Sequence, residues 1–171
     1  MAEYPARARI REVGPRDGFQ NEPEVIATAE KIRLIDLLAD AGLERIEVAS
    51  FVRPDVIPQL ADGTEVLAGI ERRAGLAYSV LIPNERGLDN ALAVRDRFDE
   101  ISVFLSASET HNRRNVNRTV AESLDGLGRV VGRAREAGLR CEGMIATSFG
   151  CPYEGEVPVA RVLEIAAELR E

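Results

Sequence analysis

Thiols and imidazoles are scarce in this chain: 171 residues hold one histidine, His111, and two cysteines, Cys141 and Cys151. Two cysteines make no disulfide framework, and a reducing cytoplasm is the expected compartment. No apolar run approaches the roughly 20 residues of a membrane helix, so no membrane is expected as a partner. The stretch Met-Ala-Glu-Tyr-Pro-Ala-Arg has no apolar h-region, and neither a signal peptide nor a mitochondrial-type leader is expected. Positive charge is in deficit: 22 Lys and Arg against 29 Asp and Glu leave a net charge of −7. That argues against nucleic acid as a partner. Linkers, low-complexity segments and domain boundaries are not evident either.

A composition 45% hydrophobic and 30% charged reads as soluble and globular. The length suits one domain with its own core. Along it, strand and helix patterns alternate, the signal for parallel βαβ units. Strands are predicted at about 8–13, 45–49, 76–81, 100–105 and 140–146, and helices at about 28–41, 63–73, 85–97, 119–138 and from Pro158 onward. Thr28 reads as an N-cap and Gly42 as the residue past the helix end. Ile32, Leu34, Ile35, Leu38 and Ala39 share one side of the first helix. Thr119 and Glu122 form a capping box, Leu124, Leu127, Val131 and Ala134 give the following helix a core stripe, and Gly138 ends it. Residues 106–118 read as a long polar loop containing His111. The right-handed crossover rule puts five βα units in one parallel sheet.

The stretch at 14–22, Gly-Pro-Arg-Asp-Gly-Phe-Gln-Asn-Glu, carries the chemistry. It follows the first strand, where α/β folds place ligands and catalytic groups. Arg16 is a fixed cation with a planar fork of donors. Asp17 is a hard oxygen ligand suited to Mg²⁺ or Mn²⁺. Two readings stand for the dipeptide: a metal-and-carbonyl site, or a turn in which Asp bonds nearby amides. Other polar groups end later strands: Glu47 and Ser50, then Ser106, Ser108 and Glu109, then Thr147 and Ser148.

These residues resemble one family. Gly-Pro-Arg-Asp-Gly-Phe-Gln-Asn-Glu is similar to the first-strand signature of the hydroxymethylglutaryl-CoA lyases, metal-dependent lyases built on TIM barrels. Glu-Val-Ala-Ser-Phe-Val at 47–52, Pro-Gln-Leu-Ala-Asp at 58–62, Ala-Ser-Glu at 107–109, Asn-Val-Asn at 115–117 and Gly-Cys-Pro-Tyr-Glu-Gly at 150–155 agree in order and spacing. The resemblance implies an α/β fold of TIM-barrel type with about five of eight βα units, and residues 1–171 as the N-terminal part of a single (β/α)8-type lyase domain. It implies retro-Claisen cleavage of 3-hydroxy-3-methylglutaryl-CoA to acetoacetate and acetyl-CoA with a divalent cation, Mg²⁺ or Mn²⁺. Arg16 would be the catalytic arginine and contact substrate, Asp17 a metal ligand, and Gln20 (substrate-binding) and Glu47 (catalytic) supporting site residues.

Each has a plainer reading. Glu47 can be an inward polar residue paired with Arg16. Ser108-Glu109 can be a helix cap. Arg113-Arg114 reads better as a solvated doublet than as a CoA phosphate clamp. Cys151 lies in a string that matches the family's strand-five loop and not its catalytic-cysteine loop, so a buried structural thiol is expected. The resemblance also implies ligands this chain does not carry: a His-x-His pair on a late strand and a later asparagine. Two explanations follow, the N-terminal portion of a longer lyase, or a short protein that works as a homodimer or with a complementing chain. An alternative function is a non-catalytic partial barrel used for binding or assembly, or a lyase for a related 3-hydroxyacyl-CoA.

Overall fold

The structure is a computed structural model and describes residues 6–170. It divides into two compact units, Met1–Leu81 with Ala91–Asp99, and Ile82–Asn90 with Glu100–Glu171. Within the first unit the strand pairs β1–β2 and β2–β3 are parallel, and within the second β4–β5 is parallel.

The first unit contains β1 (Arg11–Glu12), α1 (Thr28–Asp40), β2 (Arg45–Ser50), α2 (Gly63–Gly69) and β3 (Ala77–Leu81). Its core holds Ile35, Ile46, Val48, Leu67, Tyr78 and Val80, all buried. The first strand is far shorter than the alternating run at 8–13 suggested. Ile10 is exposed and buries no face, and at Val13 the chain already turns, its carbonyl accepting from Arg16 N at 3.0 Å and Asp17 N at 2.7 Å. Helix α1 ends as expected, with Gly42 at φ +80°, a conformation glycine adopts without a Cβ penalty. Its start differs. Ala27 is the N-cap, and Thr28 Oγ1 donates instead to Asp62 Oδ2 at 2.7 Å. Leu34 is exposed, while Lys31, which the apolar pattern passed over, is buried. Its ammonium donates to Gln59 O and Asp62 Oδ1, both at 2.6 Å. This ion pair ties α1 to the segment that follows β2.

The second unit contains most of α3 (Glu85–Leu92), then β4 (Glu100–Ser106), α4 (Glu109–Val116), α5 (Val120–Glu136), β5 (Arg140–Ala146) and α6 (Val159–Arg170). The capping box of Thr119 and Glu122 is formed, and Gly138 follows the end of α5 at φ +73°. Of the expected stripe, Leu127 and Ala134 are buried, joined by Val120, Ser123, Gly126 and Val130. Arg129 and Arg133 on the opposite face pair with Glu85 at 2.8 Å and Asp89 at 2.6 Å. Two predicted helices are shorter than expected: α2 stops at Gly69 because Ile70 is extended, and α3 gives way to a 3₁₀ turn at Arg95–Arg97.

Helix α4 is the main departure from the sequence reading, which left its residues as loop. Glu-Thr-His-Asn-Arg-Arg-Asn-Val has no apolar stripe for periodicity to detect. Its ends hold it: Ser108 caps the start by accepting from His111 N at 3.1 Å, and Asn117 ends it at φ +54°. Asn112, fully buried, pins its middle. The Asn112 amide donates to Arg118 O, Thr119 O and Ser123 Oγ at 2.8–3.0 Å, and its Oδ1 accepts from Ser106 N at 3.0 Å.

Candidate active site

The residues Gly14–Gly18 do not form an open loop. They close into one π-helical turn, with Pro15 buried near its start. Glu12 builds this turn. Its Oε1 accepts from Gly14 N at 2.6 Å, and a Cβ on residue 14 would lie 2.9 Å from that same oxygen. A side chain there would push the Glu12 carboxylate off the Gly14 amide. Such turns recur at functional sites.

The turn delivers Arg16 against β2. Arg16 Nε donates to Glu47 Oε1 at 2.6 Å and Nη1 donates to Asp17 Oδ1 at 2.8 Å. Side-chain exposure runs from 0% at Glu47 through 12% at Arg16 to 54% at Asp17. The pair is thus anchored inside and opens outward. Arg11 Nη1 lies 3.9 Å from Glu47 Oε2, so the buried carboxylate faces two guanidinium groups. Arg16 Nη2 has no protein partner among the described residues, which leaves one edge of its donor fork for another oxygen. Gln20 is half-buried and lies about one turn after Arg16.

Arg16, Asp17 and Glu47 are therefore brought together, and Gln20 stands on the adjoining turn. The expected pairing of Glu47 with Arg16 is present. Glu12 and Arg11 are the residues sequence reasoning missed. Both sit in the short first strand, where a Glu two residues before a Gly-Pro turn was the available signal.

Among the described residues, no three side chains of His, Cys, Asp or Glu gather as a metal ligand set. Asp17 offers a single half-exposed carboxylate, already shared with Arg16. The donor set of these residues does not by itself fit a divalent cation, which asks for about six ligands.

The polar groups that end β4 and β5 form a separate cluster within the second unit. His111 is half-buried on α4, not on a surface loop, and its Nδ1 lies 2.6 Å from Ser106 Oγ. Cys151 is buried and opens a hairpin, its N–H donating to Gly155 O at 2.7 Å and its carbonyl accepting from Gly155 N at 2.8 Å. Burial pushes the Cys151 thiol up, but the Ser108 hydroxyl at 3.0 Å and the amides of Tyr153 and Glu154 outweigh it and hold the thiol below its usual range. Burial pushes Cys141 up. Both cysteines are free. Glu154 accepts from Thr110 N at 2.6 Å, and bonds to the Thr110 side chain and amide hold it below the usual carboxylate range. Arg113 is exposed, and Arg114 stacks over the Tyr153 ring at 4.2 Å. These contacts lock the hairpin to α4 and account for the family-like string at 150–155 without assigning it chemistry.

With this geometry in place, comparison with known proteins decides the family: residues 7–171 match HMGL-like. The chain belongs to the HMGL-like family. It is 48% identical over 168 residues to a hydroxymethylglutaryl-CoA lyase of Bacillus subtilis, covering 98% of this chain and 56% of that protein. A crystal structure of the B. subtilis HMG-CoA lyase superposes with a TM-score of 0.94 at 47% identity, over 99% of this chain and 56% of that one. An HMG-CoA lyase from Acinetobacter baumannii, in complex with coenzyme A and 3-methylmalate, superposes at 0.88 with 40% identity, over 94% and 52% of the two chains. The chain spans about half the length of the curated relatives it matches. The fold of this HMGL-like chain is α/β of TIM-barrel type, with five βα units of the barrel's eight. No helix among the described residues is long and apolar enough to cross a membrane.

Proposed function

We propose that residues 1–171 form the N-terminal part of a single (β/α)8-type domain that cleaves 3-hydroxy-3-methylglutaryl-CoA to acetoacetate and acetyl-CoA, in the cytoplasm. The observation that carries this reading is the Arg16–Glu47 pair, buried at its carboxylate end and presenting unused donors outward.

In that cleavage the tertiary hydroxyl loses a proton, the bond between C2 and C3 breaks, and C3 becomes the ketone of acetoacetate. The electron pair of the broken bond moves onto the thioester as an enolate, which takes a proton at C2 to give acetyl-CoA. Negative charge grows on the thioester oxygen. A guanidinium fixed beforehand beside that oxygen stabilises it without reorganising. Glu47 holds Arg16 in place from inside, Glu12 holds the turn that carries it, and Gln20, four residues after Arg16, would bind substrate. A divalent cation, Mg²⁺ or Mn²⁺, would supply acidity at the hydroxyl, with Asp17 as one ligand. The other ligands would have to come from residues outside those described, or from a homodimer or a complementing chain.

The lack of a ligand set among the described residues favours a second reading, a non-catalytic partial barrel used for binding or assembly. One experiment separates them: calorimetric titration of the chain with 3-hydroxy-3-methylglutaryl-CoA, and a cleavage assay with Mg²⁺ or Mn²⁺ and with chelator, for the unmutated chain and Arg16→Gln. The lyase reading expects saturable binding, weakened about ten- to hundredfold when the charged hydrogen bonds of Arg16 are lost. Metal-dependent turnover abolished by the substitution would place the missing ligands on a second copy. A folded chain that shows no binding and no turnover would sink the lyase reading for this chain.

A further inference from the structure

Strand β2 is irregular at the point where it approaches the Arg16 site. Its register against β3 runs Glu47 to Ser79, then Ala49 to Val80 and Ser50 to Leu81, so Val48 is an inserted residue. Such an insertion re-aims the side chains after it. In a regular strand, residues 47 and 50 would point to opposite faces. Here both fall on the face that carries Ser79 and Leu81. Ala49 takes the opposite face, the one against α2, where a Cβ on Gly63 would lie 3.3 Å from its own Cβ. The bulge thus adds Ser50 to the face of the buried Glu47.

Ser50 is 3% exposed, and its Oγ is the one buried side-chain oxygen or nitrogen without a hydrogen-bond partner among the described residues. Ser79, on the same face, has a partner, donating to Ile46 O at 3.3 Å. A buried hydroxyl left unpaired destabilises the fold that holds it. Here it ends the strand that anchors Arg16, on the face of Glu47, whose carboxylate holds the Arg16 guanidinium. An oxygen atom of an acyl group bound at Arg16 would satisfy it.

We propose that Ser50 is a substrate-binding residue whose hydroxyl donates to an oxygen of the acyl group held by Arg16. The inference rests on the proposed lyase function. It adds a contact on β2 to those on the first turn, and it gives the bulge a role, that of directing a donor into the site.

The test is calorimetric titration of the 171-residue chain with 3-hydroxy-3-methylglutaryl-CoA and with CoA alone, for the unmutated protein, Ser50→Ala, Ser50→Thr and Arg16→Gln. Urea unfolding of each unliganded protein runs beside it. Ser50→Ala is expected to weaken the acyl-CoA about tenfold and leave CoA unchanged. Its unfolding midpoint should stay the same or rise, because an unpaired buried hydroxyl is gone. Ser50→Thr keeps the hydroxyl and should keep most of the affinity. Unchanged acyl-CoA affinity in Ser50→Ala, with a loss in Arg16→Gln, overturns the role of Ser50 and leaves the lyase reading standing. An equal loss for CoA alone also overturns it, since the contact would not be to the acyl group. No binding by the unmutated chain overturns the lyase reading, and this inference with it.

Discussion

Removing either partner of the Arg16–Glu47 pair should destabilise the protein, and the two losses should differ. Glu47 is wholly buried and Arg16 is 12% exposed. Breaking a buried pair by deleting one member costs about 3–5 kcal/mol, most of it from the charge left behind. Glu47→Gln leaves Arg16, which can turn toward Asp17 and water, so its cost belongs at the lower end, about 3 kcal/mol. Arg16→Gln takes the 2.6 Å partner from a carboxylate with no exposure and leaves it the Arg11 guanidinium at 3.9 Å. With no water to replace the lost bond, its cost belongs at the upper end, about 5 kcal/mol. For a chain of this size, 1 kcal/mol moves the melting temperature by about 2–4 °C, so the two variants should melt about 6–12 °C and 10–20 °C below the parent. Urea unfolding followed by circular dichroism measures both, and the double variant completes the cycle. A double variant as stable as the milder single would confirm that the stranded partner carries the cost. If Arg16→Gln unfolds within about 1 kcal/mol of the parent, the value of an exposed pair, the reasoning fails. Arg16 would then be held by the turn alone, with Glu47 adding nothing.

Three further outcomes follow from named contacts. Lys31→Met should cost about 2–3 kcal/mol, less than a fully buried pair, because Asp62 keeps 21% exposure and its bond from Thr28; limited proteolysis should then cut within 51–62 first, and unchanged resistance there would refute the tether. Asn112→Ala should cost at least about 3 kcal/mol, since it leaves the buried Ser106 amide and several acceptors unpaired; full retention of α4 amide protection in hydrogen exchange would count against it. The hairpin at 151–155 should loosen in acid. Glu154 is held below the usual carboxylate range when folded, so its contribution is complete above the unfolded value and is lost as pH falls through the folded one. The Thr110 amide shift should titrate below the ordinary carboxylate range, and Glu154→Gln should remove that titration.

Much of the fold was legible because it depends on local pattern. Strands β2 to β5 are apolar runs between turn residues, and their predicted limits agree with the observed ones to within one residue. The end of α1 and both ends of α5 were legible from Gly42, Gly138 and the Thr119–Glu122 box, since capping is settled within a few residues. The grouping of Arg16, Asp17 and Gln20 was legible for the same reason. The exceptions lie where distant partners decide. Residues 8–10 alternate like a strand but find nothing to cover them. Residues 109–116 have no helical stripe, yet fold because Asn112 reaches the start of α5 and the end of β4. Lys31 lies outside the apolar stripe and is buried because Asp62, 31 residues later, arrives beside it.

By itself, the sequence determined the α/β class, the family and the residues at the candidate site, because periodicity and motif are properties of neighbours in the chain. Only the tertiary structure decided how the site is built. It set Arg11 as a second guanidinium beside Glu47, closed residues 14–18 into a turn capped by Glu12, and used an inserted residue in β2 to turn Ser50 to the Glu47 face. Each of these depends on the register of one strand against another, and register is fixed by burial and hydrogen bonding across the sheet, which no run of adjacent residues records.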